Sequence, residues 1–295
     1  MAKDFIVAIE LGSSKMTGIA GRKNPDGSIS ILAVAKEDSA SYIRKGVAYN
    51  IERTAQGLSN IVSKLKNTLK TEIEQVYVGI GGQRIHSVKN SIVKELPLDC
   101  IVSQDMVNEL MDTNRSMEYK DCEILDAITQ EYNVDGHYED DPVGIQARHL
   151  EGNFLNVLWR RSFYRNLNKS LDNSGIKVAE MYLAPLTMAD CVLTDAEKRA
   201  GCVLVDLGAD TTTVSVYYRN KLRHIAVLPL GGSNVTKDLE SLQIDEINAE
   251  AMKLKHASAL TDEKDIDADA TLPIGDGRTI RSCMFIQVVE ARMLE

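Results

Sequence analysis

The stretch that decides the fold is Gly201-Cys-Val-Leu-Val-Asp-Leu-Gly-Ala-Asp-Thr-Thr-Thr-Val-Ser-Val-Tyr-Tyr218. It predicts an apolar strand over Cys202 to Leu207, a tight turn at Gly208 to Asp210, and a second strand with valine inward and threonine and serine outward. A buried strand that ends in an acid and runs into glycine and hydroxyl residues can form a phosphate loop. In such a loop the glycine lets backbone N–H groups approach the anion, and the carboxylate can hold a metal ion through water. An ordinary structural hairpin has the same residue pattern, so this stretch alone leaves both interpretations open.

The N-terminal stretch Val7 to Lys15 repeats the pattern. Its sequence Val-Ala-Ile-Glu-Leu-Gly-Ser-Ser-Lys places Glu10 where the later stretch has Asp206, and Gly12 where the later stretch has Gly208. Two such hairpins in one chain favour two related half-domains that face each other across a nucleotide.

Composition limits the class of protein. The chain has 295 residues, 44% hydrophobic and 26% charged, which is typical of a globular protein with one large or two ordinary domains. A net charge of −9 disfavours nucleic acid as a main partner, because phosphate binding needs a basic face. Five scattered cysteines without a C-x-x-C motif, several of them inside apolar strands, predict reduced core thiols in a cytoplasmic protein. The histidines never pair at metal-ligand spacing. We expect no signal peptide, since Met1 to Asp4 lead directly into a strand, and no membrane span.

The residues around the first hairpin predict an α/β half-domain. A strand is expected over Ser28 to Val34, an amphipathic helix over Ile51 to Leu69, and a buried strand over Val76 to Ile80 that runs into two glycines.

From Arg84 to Arg161 the pattern changes to that of a small inserted α+β subdomain. Strands are predicted over Ile85 to Lys94 and Ile124 to Val134, a helix is capped by Ser103, and a long strand pair covers Ile145 to Trp159. We expect His137 and His149 to be ordinary sheet or surface positions. The acidic turn Glu139, Asp140 and Asp141 could bind a cation, but a solvated turn is the favoured interpretation.

Several segments of the second half have a structural as well as a functional interpretation. Gly231 and Gly232, before a helix that starts at Asn234, could present N–H groups to an anion or simply cap the helix. A helix over Ile244 to His256 carries Glu250 and Lys253 three residues apart, which by itself indicates a surface ion pair. A polar linker is predicted over Thr194 to Gly201, an acidic loop over Thr261 to Ala270, and a short hairpin around Gly275 to Gly277.

Together the two hairpins resemble the phosphate motifs of the actin-like ATPase superfamily, and the whole chain resembles its FtsA family of bacterial cell-division proteins. The segment Leu230 to Asp238 is similar to the one that FtsA proteins carry after the second hairpin, and Ala249 to Lys253 resembles the helix that touches the adenosine. The most specific match is Val76 to Gly82 with Tyr132 to Gly136 and Asp141 to Gly144, which resemble a subdomain that FtsA has and actin lacks.

The resemblance implies an α/β, actin-like (ribonuclease H-like) fold of duplicated domains with an inserted small α+β subdomain. The expected parts are the first half, residues 1–83 and 162–198; the insertion, 84–161; an incomplete second half, 199–236 and 283–295; and a small subdomain, 237–282.

The resemblance also implies a site for ATP and Mg²⁺. Glu10 and Asp206 would orient metal-bound waters as the catalytic acids, and Glu250 and Lys253 would contact the adenosine. The remaining residues expected to bind the cofactor are Gly12, Ser13, Ser14, Lys15, Gly208, Ala209, Asp210, Thr211, Gly231 and Gly232.

Three departures from the family pattern modify these expectations. Ala184 stands where related ATPases often have a Gln or Glu near the attacking water, so hydrolysis is expected to be slow or absent. Asp210 replaces a glycine and Thr213 an aspartate in the second phosphate motif, and the added charge at Asp210 should weaken nucleotide binding. The family's second adenosine motif and its C-terminal membrane-binding helix have no counterpart, which implies a fragment of a longer protein.

For the intact protein the resemblance implies a polymerising adaptor that links FtsZ to the inner face of the cell membrane at the division septum. The subdomain around Ser241 to Ser282 would bind the FtsZ C-terminal tail, and the insertion would join neighbouring subunits and other division proteins. Two alternatives remain, a PilM-like pilus-assembly adaptor and a sugar kinase of the same superfamily. If the chain binds the FtsZ tail, the basic surface for this acidic tail would consist of Lys253, Lys255, Arg278 and Arg281.

Overall fold

The computed structural model describes residues 5–262, 267 and 269–295, which form two compact units. The first unit comprises the chain up to Asp206 together with Thr211–Pro229, and the second comprises Leu207–Asp210 and Leu230–Glu295. The acidic loop predicted over residues 261–270 lies largely outside the described residues.

Strands and helices of the first unit follow one another as expected for an α/β fold. The strands are β1 (Ile6–Leu11), β2 (Lys15–Lys23), β3 (Ile29–Asp38), β4 (Ile43–Arg44), β5 (Val47–Ala48), β6 (Val76–Ile80), β7 (His86–Glu95), β8 (Cys122–Val134), β9 (His137–Glu139), β10 (His149–Arg160), β11 (Val178–Leu183), β12 (Cys202–Leu207), β13 (Thr212–Tyr218) and β14 (Lys221–Leu228). The helices are α1 (Ile51–Leu69), α2 (Gln104–Arg115), α3 (Arg161–Ser174), α4 (Ala184–Val192) and α5 (Asp195–Ala200).

A five-stranded mixed sheet carries the first hairpin. Its strand order is β11-β6-β1-β2-β3, with β1 antiparallel to β2 and parallel to β6. Helix α1 begins after Asn50, whose side chain accepts a hydrogen bond from the Arg53 amide, and it buries Leu58, Ile61 and Leu65 against the sheet. This apolar stripe at helical spacing makes α1 the main cover of that face.

A seven-stranded sheet joins the second hairpin to the inserted segment. Its order is β12-β13-β14-β7-β10-β8-β9, and β14 meets β7 where Ala226 pairs with His86. Helix α2 packs on β7, β8 and β10 and buries Val107 and Leu110 against Leu150. The insertion therefore has an apolar cluster of its own.

The described residues of the second unit form three helices and a short hairpin. Its elements are α6 (Gly232–Glu240), α7 (Glu246–His256), β15 (Thr271–Pro273), β16 (Thr279–Arg281) and α8 (Ser282–Leu294). Leu239, Met252 and Phe285, one from each helix, meet in its core.

Three local expectations are wrong. Residues 145–159 contain one strand, β10, instead of a strand pair, because residues 142–148 form a turn and an isolated bridge before it. The expected linker at 194–201 contains α5, which a capping box between Thr194 and Glu197 initiates. Strand β13 buries Thr213 and Ser215 and leaves its valines half-buried, the reverse of the predicted alternation.

Three expectations drawn from composition concern the cysteines, the helices and the acidic turn. All five cysteines are free thiols, but four are half-buried and Cys191 is exposed, so the expected position in the fully buried core is wrong. Among the described residues, no helix is both long enough and apolar enough to cross a membrane. The acidic turn of Glu139, Asp140 and Asp141 is exposed, in agreement with the solvated turn that was favoured, and Lys221 Nζ lies 2.6 Å from Asp140 Oδ1.

Candidate functional site

Two residues outside the turn between β1 and β2 stabilise it through hydrogen bonds. Ser39 Oγ donates to the Gly12 carbonyl at 2.6 Å, and the Gly46 amide donates to Ser13 Oγ at 2.8 Å. A Cβ on Gly12 would lie 2.5 Å from the Lys15 carbonyl oxygen, so the turn requires glycine there. Because the Ser13 oxygen already accepts a hydrogen bond, its own proton is available to donate to an anion.

Two strands of the first unit each have an acid as their penultimate residue, Glu10 in β1 and Asp206 in β12. Glu10 keeps part of its surface exposed, but the surrounding protein removes enough water from its carboxylate to raise its pKa. The negative charge of Asp206 raises this pKa further, and Lys15 opposes the rise. Burial also raises the pKa of Asp206. The two carboxylates are therefore close enough to repel each other, and a cation beside them would lower both pKa values.

In the second unit, the turn Gly208 to Asp210 is bonded to the start of α6. The Gly232 amide donates to the Gly208 carbonyl at 2.9 Å, and the Ser233 amide donates to the Ala209 carbonyl at 2.7 Å. The Gly231 amide donates to Asn234 Oδ1 at 3.0 Å. These three N–H groups are engaged within the unit, which favours a shaping role for the double glycine over direct capture of an anion.

Gly231 allows this close approach. Its backbone is extended (φ −165°), which any residue can adopt, but a Cβ would lie 2.5 Å from the Ala209 oxygen and 2.6 Å from the Gly208 oxygen. At Gly232 a Cβ would meet Lys253 Nζ at 3.6 Å, an ordinary contact. The steric requirement for glycine thus falls on Gly231.

Helices α6 and α7 meet through a polar cluster of Thr236, Glu250 and Lys253. Glu250 Oε2 accepts hydrogen bonds from Thr236 Oγ1 at 2.5 Å and from Lys253 Nζ at 2.6 Å, and Lys253 also donates to the Gly232 carbonyl at 3.1 Å. Burial alone would raise the pKa of Glu250, but the hydrogen bonds from Lys253 and Thr236 hold it below its usual value. Glu250 is therefore ionised at neutral pH, and its Oε1 accepts no hydrogen bond from a described residue.

The remaining predicted residues lie as follows. Lys15 and Ser14 are exposed at the first turn, while Ala209, Asp210 and Thr211 are half-buried at the second. A Cβ on Gly79, which pairs with Glu10, would lie 3.8 Å from Ala184 Cβ and 3.9 Å from Glu10 Cα. Ala184 therefore places a methyl group, with no polar atom, next to the strand that carries Glu10.

Two residues of the proposed basic surface are engaged inside the second unit. Lys253 belongs to the cluster with Glu250, and Arg278 lies 2.6 Å from Asp276 and donates to the Gln243 carbonyl at 2.7 Å. Lys255 and Arg281 are exposed.

Ser39, Gly46 and Thr236 support the site but were missed by sequence reasoning. The first two lie far from the β1–β2 turn in the sequence and carry no motif. Thr236 lies four residues after Gly232, at the spacing that returns a side chain to the same helix face, and this spacing was the available signal. Among the described residues, no three His, Cys, Asp or Glu side chains cluster to hold a metal ion directly.

Comparison of the sequence shows similarity to FtsA proteins over most of the chain. The family model for cell division protein FtsA matches residues 203–287, and the one for the SHS2 domain inserted in FtsA matches residues 82–158. Cell division protein FtsA of Porphyromonas gingivalis is 35% identical over 87% of this chain and 54% of that protein. The FtsA proteins of Neisseria meningitidis and Escherichia coli K12 are 28% and 27% identical, each over 99% of this chain and 71% of the relative. The chain thus spans between about half and seven tenths of the length of these relatives.

Solved structures show the same fold at low sequence identity. The PilM–PilN type IV pilus biogenesis complex matches 85% of this chain and 69% of its own with a TM-score of 0.57 at 15% identity. MreB5 of Spiroplasma citri bound to ADP matches 98% of this chain and 75% of its own with a TM-score of 0.52 at 10% identity. The predicted actin-like fold is confirmed, while the likeness to PilM concerns the fold alone.

Proposed function

The chain belongs to the FtsA family of cell-division proteins, and from this premise we propose that it is an ATP-binding, actin-like adaptor of the division machinery. The proposal has two parts. The first is that this chain binds ATP with Mg²⁺, and the second is that the protein links FtsZ to the membrane and polymerises.

The cluster of Thr236, Glu250 and Lys253 carries the proposal for nucleotide binding. Glu250 is ionised, one of its oxygens is fixed by two donors, and the other is left to accept further hydrogen bonds. A ribose offers two neighbouring hydroxyl donors, and a carboxylate accepts such bonds more strongly than a neutral group does. We assign the adenosine contact to Glu250, with Lys253 and Thr236 as its positioning residues.

The phosphate contacts are assigned to the two glycine turns. The Ser13 hydroxyl can still donate its proton, and Ser14 and Lys15 are exposed. In the second turn, the carbonyls of Gly208 and Ala209 are hydrogen-bonded to amides of α6. Gly231 would act by allowing the close approach of α6 to that turn, and Gly232 through the hydrogen bond from its amide to the Gly208 carbonyl. Asp210 adds a negative charge there, so we expect an affinity for ATP below that typical of the superfamily.

The metal is assigned to Glu10 and Asp206. Bound Mg²⁺ supplies positive charge that neutralises phosphate oxygens. Two carboxylates with raised pKa values fit a hydrated cation, because Mg²⁺ retains waters and needs few protein ligands. Ala184 offers no group that could orient an attacking water beside Glu10, so we propose slow or absent hydrolysis.

The assignments to partners follow family membership. We propose that the protein acts at the cytoplasmic face of the membrane at the division site, where the small subdomain 237–282 binds the FtsZ tail. The insertion, 84–161, would contact neighbouring subunits in a filament and other division proteins. We also propose the division of the chain into the four parts given above: the first half, the insertion, the incomplete second half and the small subdomain.

A fluorescent ATP analogue tests the nucleotide assignment. Titration of the chain with N-methylanthraniloyl-ATP in Mg²⁺ should show saturable binding, weakened about tenfold or more by Glu250→Gln, since a charge-assisted hydrogen bond contributes about 1.5–3 kcal/mol. Glu246→Gln, on the same helix but exposed, is the matched control and should change the affinity less than twofold. Equal affinity for the Glu250 variant and the unmodified chain would rule out the adenosine contact.

A labelled FtsZ C-terminal tail peptide tests the adaptor assignment. We expect saturable binding that is lost when Arg281, which is exposed, is changed to Glu. A folded chain that binds no FtsZ tail would contradict the adaptor role and favour the pilus-type alternative.

A further inference from the structure

The first unit has an arginine-lined cleft away from the glycine turns. A cavity of about 320 Å³ lies at the start of α3 and is lined by Asp121, Arg160, Arg161, Ser162 and Arg165. A second cavity of about 460 Å³ is lined by Arg84, Arg160 and the apolar residues Ile85, Ala226 and Val227, among others. Arg160 lines both cavities, and the two together are named here the arginine cleft.

The charges of the arginine cleft are largely unpaired. Arg161 Nε lies 2.7 Å from Glu123 Oε1, but Arg84, Arg160 and Arg165 form no ion pair with a described residue. All four arginines are exposed. The Arg160 guanidinium lies 5.9 Å from the centroid of the Phe163 ring, and it, Arg84 and Arg165 lack a carboxylate partner in the described part of the chain. Three such groups together are notable on a chain whose net charge is −9, because acids are the more abundant partners available to them.

Three of these arginines occupy backbone positions that are unfavourable for an arginine in the absence of a ligand. Arg160 is the N-cap of α3 and makes no side-chain cap, Arg161 follows it, and the first turn has no acidic residue. Positive side chains at the positive end of a helix repel its dipole. Arg84 has φ 71°, in the left-handed region that disfavours residues other than glycine or asparagine. A bound anion would relieve the repulsion at the α3 terminus.

The other half of the arginine cleft is apolar. Ile85 and Val227 are buried beneath it, and the Val227 amide is bonded to the Ile85 carbonyl, so this floor is part of the sheet. A free inorganic anion would leave the apolar half unused, and the cleft is concave, whereas a membrane presents a flat surface. Charge complementarity on one side and apolar contact on the other fit a polypeptide with both kinds of side chain.

We propose that the arginine cleft is a docking site for an acidic peptide segment of a partner protein. Its carboxylates would bind the guanidinium groups of Arg84, Arg160 and Arg165, and its apolar residues would lie over Ile85 and Val227. Paired arginine–carboxylate hydrogen bonds are strong and directional, which suits recognition by a rigid groove. This inference does not depend on nucleotide binding.

Fluorescence anisotropy with a defined probe tests the proposal. The probe is a labelled octapeptide, Glu-Glu-Asp-Glu-Leu-Val-Leu-Gly, and its control has glutamine and asparagine in place of the acids. We expect saturable binding of the acidic probe alone, weakened at least tenfold by the double change Arg160→Gln with Arg165→Gln. The matched control, Arg53→Gln with Arg115→Gln, removes the same charge from exposed arginines elsewhere and should change the affinity less than twofold.

The remaining outcomes overturn the proposal. Equal loss in both double variants would show that net charge, and not this cleft, attracts the probe. A folded chain that fails to bind the probe would also refute it. So would binding that is seen only with phosphatidylglycerol vesicles and is lost in the Arg160 and Arg165 variant, because the cleft would then recognise a lipid surface.

Discussion

Replacing Gly231 with alanine should loosen the second glycine turn without changing any charge. The new Cβ would lie 2.5 Å from the Ala209 oxygen and 2.6 Å from the Gly208 oxygen, both backbone atoms that cannot rotate away. The turn would have to move by roughly 1 Å to restore an ordinary contact. That displacement breaks the hydrogen bonds that the Gly232 and Ser233 amides donate to the turn, which measure 2.9 and 2.7 Å.

The expected cost follows from these contacts. Each hydrogen bond contributes about 1 kcal/mol net, and overpacking costs about 1–3 kcal/mol when neighbours shift. The two costs do not add in full. If the turn moves, the hydrogen bonds are lost but the overpacking is relieved, and if it stays in place, the hydrogen bonds remain but the contact is compressed. We therefore expect a local loss of roughly 2–4 kcal/mol, which corresponds to amide exchange faster by about 30- to 1000-fold.

Hydrogen exchange followed by mass spectrometry is the appropriate assay. The chain has one tryptophan, Trp159, which lies in the first unit, so its fluorescence does not report on this turn. The matched control is Gly232→Ala, whose Cβ would meet nothing closer than 3.6 Å and which should be neutral or slightly stabilising at a helix start. Unchanged exchange in Gly231→Ala, or an equal effect in both variants, would refute the steric argument.

Two further predictions concern the first unit. Asn156→Leu should destabilise the chain by about 2–4 kcal/mol in urea unfolding followed by Trp159 fluorescence, because it leaves the fully buried Asn114, bonded to it at 2.7 and 3.0 Å, short of partners. The double variant with Asn114→Leu should recover part of this loss, and a double variant that is worse than the sum would contradict the network. Glu10→Gln should raise the melting temperature at pH 7 without Mg²⁺, since the raised pKa of Glu10 means that stability falls as pH rises from the usual carboxyl pKa through the folded value. The gain should vanish at about pH 3, well below the usual carboxyl pKa, where Glu10 is protonated in both states, and should be absent in the exposed control Glu118→Gln. A gain that persists at that pH would disprove the electrostatic cause.

Local signals in the sequence predicted much of the fold. The helix over Ile51 to Leu69 was predicted with the observed bounds, because its apolar stripe and its flanking residues are contiguous in the chain. The N-cap at Ser103 is likewise confirmed by its bond to the Met106 amide. The capping box at Thr194 and Glu197 is an equally local signal. The helix α5 could therefore have been predicted from the sequence in place of the linker.

Contacts between distant segments could not be predicted in this way. The pairing of Ala226 with His86 joins strands about 140 positions apart, and no motif marks either end. The buried Asn114 and Asn156 come from α2 and β10, and each is an ordinary polar residue until the other is placed beside it. The same holds at the candidate site, where Glu250 and Lys253 were expected as a pair but Thr236, from another helix, decides which oxygen of Glu250 is left to accept a ligand.

Strand β13 shows why period alone is insufficient. Alternation correctly separates its residues into two faces, one with Thr213, Ser215 and Tyr217 and the other with valines, but it does not say which face packs inward. The register decides, because Thr213 lies opposite Val227 and Ser215 opposite Ile225, on the face where both strands meet the main apolar cluster. The apolar neighbours contributed by β14, together with Tyr217 on the same face of β13, therefore decide which face of the strand packs inward. The inward face of a strand is therefore a property of the pair of strands, and in this chain the partner strand follows immediately, so both strands have to be weighed together.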